Sequence, residues 1–497
     1  MMMRTICTTL FLCASLWLVT PTASAAGGAQ LAKPFAACRL TDPMRLSSIE
    51  AECAEISIPE SAKPGSRRIM LSVARVPAIN QRKQSDPIVL LAGGPGQGAQ
   101  LAYTAQSSAF ARAGRQRDIL LLDQRGTGRS NPLTCDAENG VDRSGSMSDS
   151  AAFLRLGEDC LKRLSARHDL GEYTTSRAVA DLEAVRALLG YESLNLYAGS
   201  YGTRVAQHYA RRYPLRVRSM VLDGVVASPT VLGPTMATDA QRALDGIWQR
   251  CAADAACRTA FGEMAAKTRE LRTRLQRSPQ TVQVAHPRTA VMASVEFGVE
   301  QLAIVLRFGS YEAHFAAMLP LVVSEAARGD YRPIATLFLL TSENVQEMLA
   351  MGMHNSVVCS EDVPRFANVS VDRAALTSTY LGTGFVDALP LLCKSWLRGP
   401  VDADLFAPLV STVPTLLLSG TLDPVTPPAD ADRAARTLRN ARHVALAGSG
   451  HGQLAVPCMD RVIADFFATP DVKALDVSCL DRRMQPPFWV SIAGPTP

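Results

Sequence analysis

The sequence has no C-x-x-C pair and no H-E-x-x-H, so the common zinc-site patterns are missing. Its seven histidines are scattered, and neither a metal nor another cofactor is expected. No sign of charge dominates, because 51 Lys and Arg stand against 46 Asp and Glu, mixed along the chain. The densest basic patch, Arg211, Arg212, Arg216 and Arg218, is one local cluster, which argues against nucleic acid as a partner. No long uncharged apolar run follows the first 26 residues, so no stable membrane span is expected. Internal repeats, low-complexity linkers and a phosphate loop ending in Gly-Lys-Ser/Thr are also missing. What remains is a chain of 497 residues, 47% hydrophobic and 20% charged, long enough to bury a substantial core. Its oligomeric state is not legible.

The start reads as an export signal. Arg4 gives a positive beginning, Ile6 to Val19 an apolar stretch, and Ala23-Ser24-Ala25 a small-residue cleavage site. Fourteen apolar residues are too few to span about 30 Å of hydrocarbon as a helix. Bulky Leu12 before Cys13 argues against lipid attachment there. A secreted or periplasmic protein is expected after removal of residues 1–25. Ten cysteines then remain, an even number that suits five disulfides in an oxidising compartment. They fall as successive neighbours 6 to 34 residues apart, and pairing each with its neighbour is the expectation.

Buried-strand patterns run over Ile69 to Val76, Pro87 to Ala92, Asp118 to Asp123, Leu194 to Tyr197 and Ser219 to Val226. Helical patterns over Ser176 to Leu189 and Thr203 to Tyr213 alternate with them. The alternation predicts an α/β fold with a mostly parallel sheet covered on both faces. After about residue 229 the pattern turns helical, and strands return at Pro414 to Ser419 and Arg442 to Leu446. The expected organisation is therefore a core over 26–229, a largely helical cap insertion over 230–400, and a second core segment over 401–497.

The chemistry starts at Ala198-Gly199-Ser200-Tyr201-Gly202, between a strand and a helix. A serine on such a turn forms the nucleophile elbow of α/β-hydrolases, where neighbours must be small to avoid collisions. Ala198 satisfies that need in place of the first glycine of G-x-S-x-G. A serine nucleophile needs a base, and the base needs an acid that holds its tautomer. Asp423 falls in a turn after one late strand and His451 in a loop after the next. The order Ser200, Asp423, His451 is the α/β-hydrolase order, and all three sit at strand carboxyl ends. Asp223 is the rival acid, whereas His208 and His443 read as structural.

An oxyanion needs two convergent N–H donors. Tyr201, the residue after the nucleophile, supplies one. The turn Gly93-Gly94-Pro95-Gly96 supplies the other, with Gly94 preferred because Pro95 has no N–H.

The segments Gly93-Gly94-Pro95-Gly96, Asp123-Gln124-Arg125-Gly126-Thr127-Gly128-Arg129-Ser130, Gly199-Ser200-Tyr201-Gly202-Thr203 and Asp423-Pro424-Val425-Thr426-Pro427 resemble the prolyl and tripeptidyl aminopeptidase family of α/β-hydrolases. The likeness runs from about Ile69 to Cys479. It implies a serine exopeptidase with a helical cap that removes a proline or a short peptide from substrate N-termini. It carries the nucleophile to Ser200, the acid to Asp423, the base to His451, and the oxyanion donors to Tyr201 and the Gly93-Gly94 turn. Ala92 stands where prolyl aminopeptidases have His, and Tyr201 where they have Trp. Both departures shift the likeness toward the secreted tripeptidyl branch.

A peptide N-terminus is cationic at neutral pH, so the cap should offer carboxylates. Glu361 and Asp362, beside Cys359 at the end of a helical stretch, are the candidates for holding it. The alternative is a carboxylesterase acting on small acyl esters with the same triad.

Overall fold

The computed structural model describes residues 28–42, 47–135, 150–482 and 484–495. The expected export segment, with Cys7 and Cys13, lies outside the described residues. Eleven strands occur among the described residues: β1 (Gln30–Thr41), β2 (Ser48–Pro59), β3 (Arg68–Val76), β4 (Ile88–Leu91), β5 (Ile119–Leu122), β6 (Leu194–Gly199), β7 (Val217–Asp223), β8 (Gln280–Ala285), β9 (Met292–Phe297), β10 (Thr415–Gly420) and β11 (Ala441–Leu446). Nine of them form one sheet in the order β1-β2-β3-β5-β4-β6-β7-β10-β11. The first four in that order pair antiparallel, and from β5 to β11 every pairing is parallel.

The apolar runs explain the parallel half. A strand covered on both faces must be hydrophobic at every position, because successive side chains point to opposite sides. In β4, Val89 and Leu91 enter the core on one face, and Ile88 and Leu90 that on the other. In β5, Leu120 and Leu122 divide from Ile119 and Leu121 in the same way. Helices Thr175–Leu188 and Tyr201–Arg212 cover the first face through Val179, Leu182, Val185 and Val205. Helices Ala99–Gln106 and Met459–Ala468 cover the second through Tyr103, Val462 and Phe466.

Between β7 and β10 the chain builds a third core of its own. It includes Leu244, Trp248, Leu271, Phe297, Leu319 and Phe338, contributed mostly by helices. This region also holds the antiparallel hairpin β8–β9, which has no counterpart in the sequence reading. The later helices depart from that core. Met353, Val357 and Val358 of helix Met351–Glu361, and Leu389 and Leu392 of helix Gly384–Ser395, join the core against the sheet instead. Among the described residues, no helix is long and apolar enough to cross a membrane.

Five disulfides join successive cysteines: Cys38–Cys53, Cys135–Cys160, Cys251–Cys257, Cys359–Cys393 and Cys458–Cys479. Mass spectrometry of non-reduced peptides should recover these five pairs. The Cys458–Cys479 bridge closes a 21-residue separation just after His451. Replacing both of its cysteines with alanine should lower unfolding stability by about 3 kcal/mol in denaturant titrations, by the loop-entropy relation. Free thiols at both positions in protein made under oxidising conditions would contradict the pairing.

Candidate active site

Parallel pairing brings the ends of β4, β6, β7, β10 and β11 to one edge of the sheet, where open α/β sheets bind ligands. Ser200 lies directly after β6 with φ 54° and ψ −126°, a positive φ that L residues avoid. Its N–H donates to the Asp223 carbonyl at 2.8 Å, and its carbonyl accepts from the Thr203 N–H at 2.9 Å and hydroxyl at 2.6 Å. Thr203 Oγ1 in turn accepts from the Val226 N–H at 2.8 Å, so β7 and the elbow helix hold the turn together.

The expected need for small neighbours is met unevenly. A Cβ at Gly202 would fall 2.3 Å from the Leu91 carbonyl oxygen and 2.7 Å from that of Ala92. Only glycine fits there. At Gly199 an added Cβ would meet nothing within 4 Å, so crowding does not dictate that residue. Gly93 is tight, since its Cβ would stand 2.9 Å from Ser200 Cβ. The glycine-rich turn after β4 therefore runs directly against Ser200. Gly93 donates its N–H to Gln97 Oε1 at 3.3 Å.

Asp123-Gln124-Arg125-Gly126-Thr127-Gly128-Arg129-Ser130, after β5, supports that turn from behind. Asp123 accepts from the Gln100 N–H at 3.0 Å and the Arg129 N–H at 2.9 Å. Arg125 forms a two-pronged pair with Asp181 at 2.6 and 2.8 Å. This motif is structural, tying the helix after the glycine turn to the sheet.

Asp423 and His451 sit on loops after adjacent strands, and those loops nearly touch. A Cβ at Gly420 would lie 2.1 Å from the Gly450 carbonyl oxygen. Asp423 Oδ2 accepts from His451 Nδ1 and from Thr426 Oγ1, both at 2.8 Å. Its Oδ1 accepts the Val425 and Thr426 N–H groups, also at 2.8 Å. Burial disfavours the Asp423 charge, but the neighbouring imidazole and these donors outweigh it and hold the carboxyl below its ordinary range. Arg242 of helix Met236–Ala253 clamps the same loop, donating to the carbonyls of Thr421 and Asp423. Burial likewise disfavours the His451 imidazolium, yet the charge and hydrogen bond of Asp423, with Asp223 behind, raise it above 6.5.

The link from His451 back to Ser200 runs through β7. Asp223 receives the Ser200 N–H, and a Cβ on the following Gly224 would stand 3.0 Å from His451 Cε1. Asp223 does not take the acid's place beside the imidazole. Its Oδ2 accepts from Tyr197 Oη at 2.6 Å and the Gln453 N–H at 2.7 Å, and burial pushes its carboxyl up to about 6. His443 is occupied by Ser419 and Asp432, and His208 by Asp402 and Arg211. His208, Asp402 and Asp404 are also the described side chains gathered closely enough to hold a cation. Arg211 and Arg212 beside them supply the positive charge instead.

The carboxylates expected to meet a substrate amine are placed otherwise. Glu361 and Asp362 have no side-chain exposure, and both pair with the equally buried Arg204 of the elbow helix. Arg204 reaches Asp362 by two bonds at 2.9 and 3.0 Å and Glu361 at 3.4 Å. Where the sequence reading expects carboxylates facing a substrate amine, the structure turns both toward Arg204 with no side-chain exposure. Tyr311 was not anticipated. Its carbonyl accepts the His451 N–H at 2.7 Å, and its ring meets the imidazole edge-on at 5.0 Å.

The two aspartates can be separated by titrating the His451 ring by NMR. A carboxylate that favours the imidazolium raises its pKa, so Asp423→Asn should move the transition clearly downward. Asp223→Asn should move it less, since Asp223 acts at longer range. A larger shift for Asp223→Asn would reverse the assignment of the acid.

A family model described as "alpha/beta hydrolase fold" matches residues 86–293, and one described as "TAP-like protein" matches residues 378–479. Over 192 residues the chain is 32% identical to the tripeptidyl aminopeptidase of Streptomyces coelicolor, covering 35% of this chain and 35% of that protein. The chain thus spans about a third of that relative's length. It is 26% identical to the serine protease Hip1 of Mycobacterium tuberculosis over 438 residues, 81% of this chain and 83% of that protein. Carboxylesterase B of the same species is 31% identical over 225 residues, 42% of this chain and 43% of that protein. Among solved structures, the proline iminopeptidase of Mycobacterium smegmatis is 16% identical with a TM-score of 0.43, covering 84% of this chain and 99% of that one. With the two family models falling in order on the strands and loops described above, the chain has an α/β-hydrolase fold and its C-terminal segment resembles the TAP-like family.

Proposed function

We propose that this chain is an exported serine exopeptidase that releases short peptides from substrate N-termini. The observation that carries the reading is the pair of buried Asp423 with partly buried His451, hydrogen-bonded at 2.8 Å beside the strained Ser200 turn. Ser200 Oγ attacks the scissile carbonyl while His451 Nε2 takes its proton. Asp423 fixes the tautomer through Nδ1 and offsets the imidazolium charge. The oxyanion accepts the N–H groups of Tyr201 and Gly94, and His451 then returns the proton to the leaving amine. Water releases the acyl group by the same steps in reverse roles.

The peptidase reading draws on the aminopeptidase and Hip1 relatives, and export on five disulfides with the signal-like start. With Glu361 and Asp362 engaged by Arg204, the carboxylate proposed to meet the substrate ammonium is Glu312. It directly follows Tyr311 and is exposed, while the surrounding protein desolvates its carboxyl and raises its pKa. A second reading, an esterase for small acyl esters, is favoured by the likeness to carboxylesterase B.

The test compares a tripeptidyl arylamide with its N-acetyl form. The free peptide should be strongly preferred, and Ser200→Ala should abolish turnover of both. A charge-assisted hydrogen bond contributes about 1.5–3 kcal/mol, so Glu312→Gln should erode that preference by roughly 10- to 150-fold. Equal wild-type rates on free and blocked peptides would sink the exopeptidase and promote the esterase.

A further inference from the structure

Helix Met351–Glu361 touches both halves of the proposed oxyanion hole. At its start, the Ala350 N–H donates to the Gly96 carbonyl at 2.9 Å, and Leu349 pairs with Gln97 as an isolated antiparallel bridge. One turn on, His354 Nδ1 lies 3.3 Å from the Pro95 carbonyl, an acceptor to which the ring nitrogen donates. The fit is close, since a Cβ at Gly96 would stand 2.8 Å from the Ala350 carbonyl oxygen. So the helix start grips the turn that offers the Gly94 N–H.

The helix end grips the other donor. Glu361 Oε1 accepts the Thr175 N–H at 2.7 Å and Oε2 accepts Thr175 Oγ1 at 2.8 Å. Thr175 Oγ1 is 2.6 Å from Tyr201 Oη. With the Thr175 proton given to Glu361, the Tyr201 hydroxyl donates to Thr175. Glu361 also reaches Arg204, one turn beyond Tyr201 on the elbow helix. Tyr201, Thr175, Arg204 and Glu361 are all at most 1% exposed, so water cannot substitute for a lost partner.

His354 and Glu361 are seven residues apart and share one helix face, about 10 Å apart along the axis. The rest of the helix is pinned. Met353, Val357 and Val358 pack into the sheet-face core, Cys359 is bridged to Cys393, and Ser356 Oγ accepts from Trp396 Nε1 at 3.0 Å. A fixed rod with one grip on each donor sets the distance between them.

We propose that helix Met351–Glu361 is the spacer of the oxyanion hole, with His354 and Glu361 as positioning residues for the Gly94 and Tyr201 amides. The inference rests on the serine-hydrolase reading and gives Glu361 a new part in it. Misplacing a preorganised donor costs turnover rather than substrate affinity, because the oxyanion exists only in the transition state.

The experiment counts active sites by fluorophosphonate labelling of Ser200, then measures kcat and KM on a tripeptidyl arylamide. Tyr201→Phe, which removes only the hydroxyl, and Glu361→Ala should each lower kcat per labelled site by about 10- to 100-fold with KM little changed. The double variant should be no worse than the poorer single one, because both cut the same chain. Glu361→Gln, whose amide can still bond both Thr175 groups, should recover most of the loss. His354→Ala should lower kcat by acting on the other donor. Affinity for a peptidyl trifluoromethyl ketone, which presents an oxyanion, should fall in step with kcat/KM. If Glu361→Ala does not fold, Tyr201→Phe carries the test. Variants with fewer labelled sites but wild-type kcat per site and inhibitor affinity would overturn the proposal, leaving the hydrolase reading intact. Turnover surviving Ser200→Ala would overturn both.

Discussion

The arrangement of the site depends on one backbone constraint, the positive φ of Ser200. A non-glycine residue there costs of order 1–3 kcal/mol and persists only where its surroundings leave no alternative. Here the alternatives are closed by β7, whose Asp223 carbonyl takes the Ser200 N–H, and by Thr203, whose hydroxyl bridges Ser200 to Val226. Gly202 lets the elbow helix approach the end of β4 more closely than any side chain would permit. That approach is also what brings Gly93 against Ser200. One tight turn thus sets the proposed nucleophile, the glycine turn and the proposed first oxyanion donor in a single step.

Charge is distributed around this turn in two buried groups of different character. Asp423 is surrounded by donors and faces one titrating partner, His451, so its charge can serve chemistry. Arg204 is held by two carboxylates and the Thr230 carbonyl, and those carboxylates take their remaining hydrogen bonds from Thr175 and the Leu232 N–H. Breaking a buried pair by removing one partner commonly costs about 3–5 kcal/mol, which suits a fixture better than a ligand site. Burial raises Glu361 to about 7 against the pull of Arg204, and the like charge of Asp362 adds to the rise.

The sheet and the order of Ser200, Asp423 and His451 were legible because Ser200 and Asp423 each follow a run of apolar residues buried on both faces, and His451 follows the half-buried edge strand β11 in a glycine-rich loop. Periodicity and turn chemistry suffice for that. The hairpin of β1 and β2 was not legible, since Glu50, Glu52 and Glu55 alternate with small residues in an outer strand. The pairing of Arg204 with Glu361 and Asp362 joins residues more than 150 positions apart, and no local pattern announces it. Arg204 in the first turn of the elbow helix, which is buried at every position from Tyr201 to Ala210, was the available signal. A guanidinium fully buried beside the nucleophile requires carboxylates, and adjacent Glu361 and Asp362 were the sites to consider. Tyr311 acts through its carbonyl and ring edge, features that a sequence motif cannot encode.

Two aspartates at neighbouring strand ends illustrate how environment assigns roles to identical side chains. Asp423 accepts four hydrogen bonds and lies below its ordinary range, so it stays ionised wherever His451 titrates. Asp223 accepts two, leaves Oδ1 without a hydrogen bond among the described residues, and is pushed up to about 6. Above that value its charge adds to the field that favours the His451 imidazolium; below it, that part of the field fades. Its hydrogen bonds do not depend on facing the ring. They hold Tyr197 in β6 and the Gln453 amide two residues past His451, while its backbone holds Ser200. Asp223 therefore fixes the separation of the two loops whose side chains must meet, and Asp423 fixes the proton on the imidazole between them.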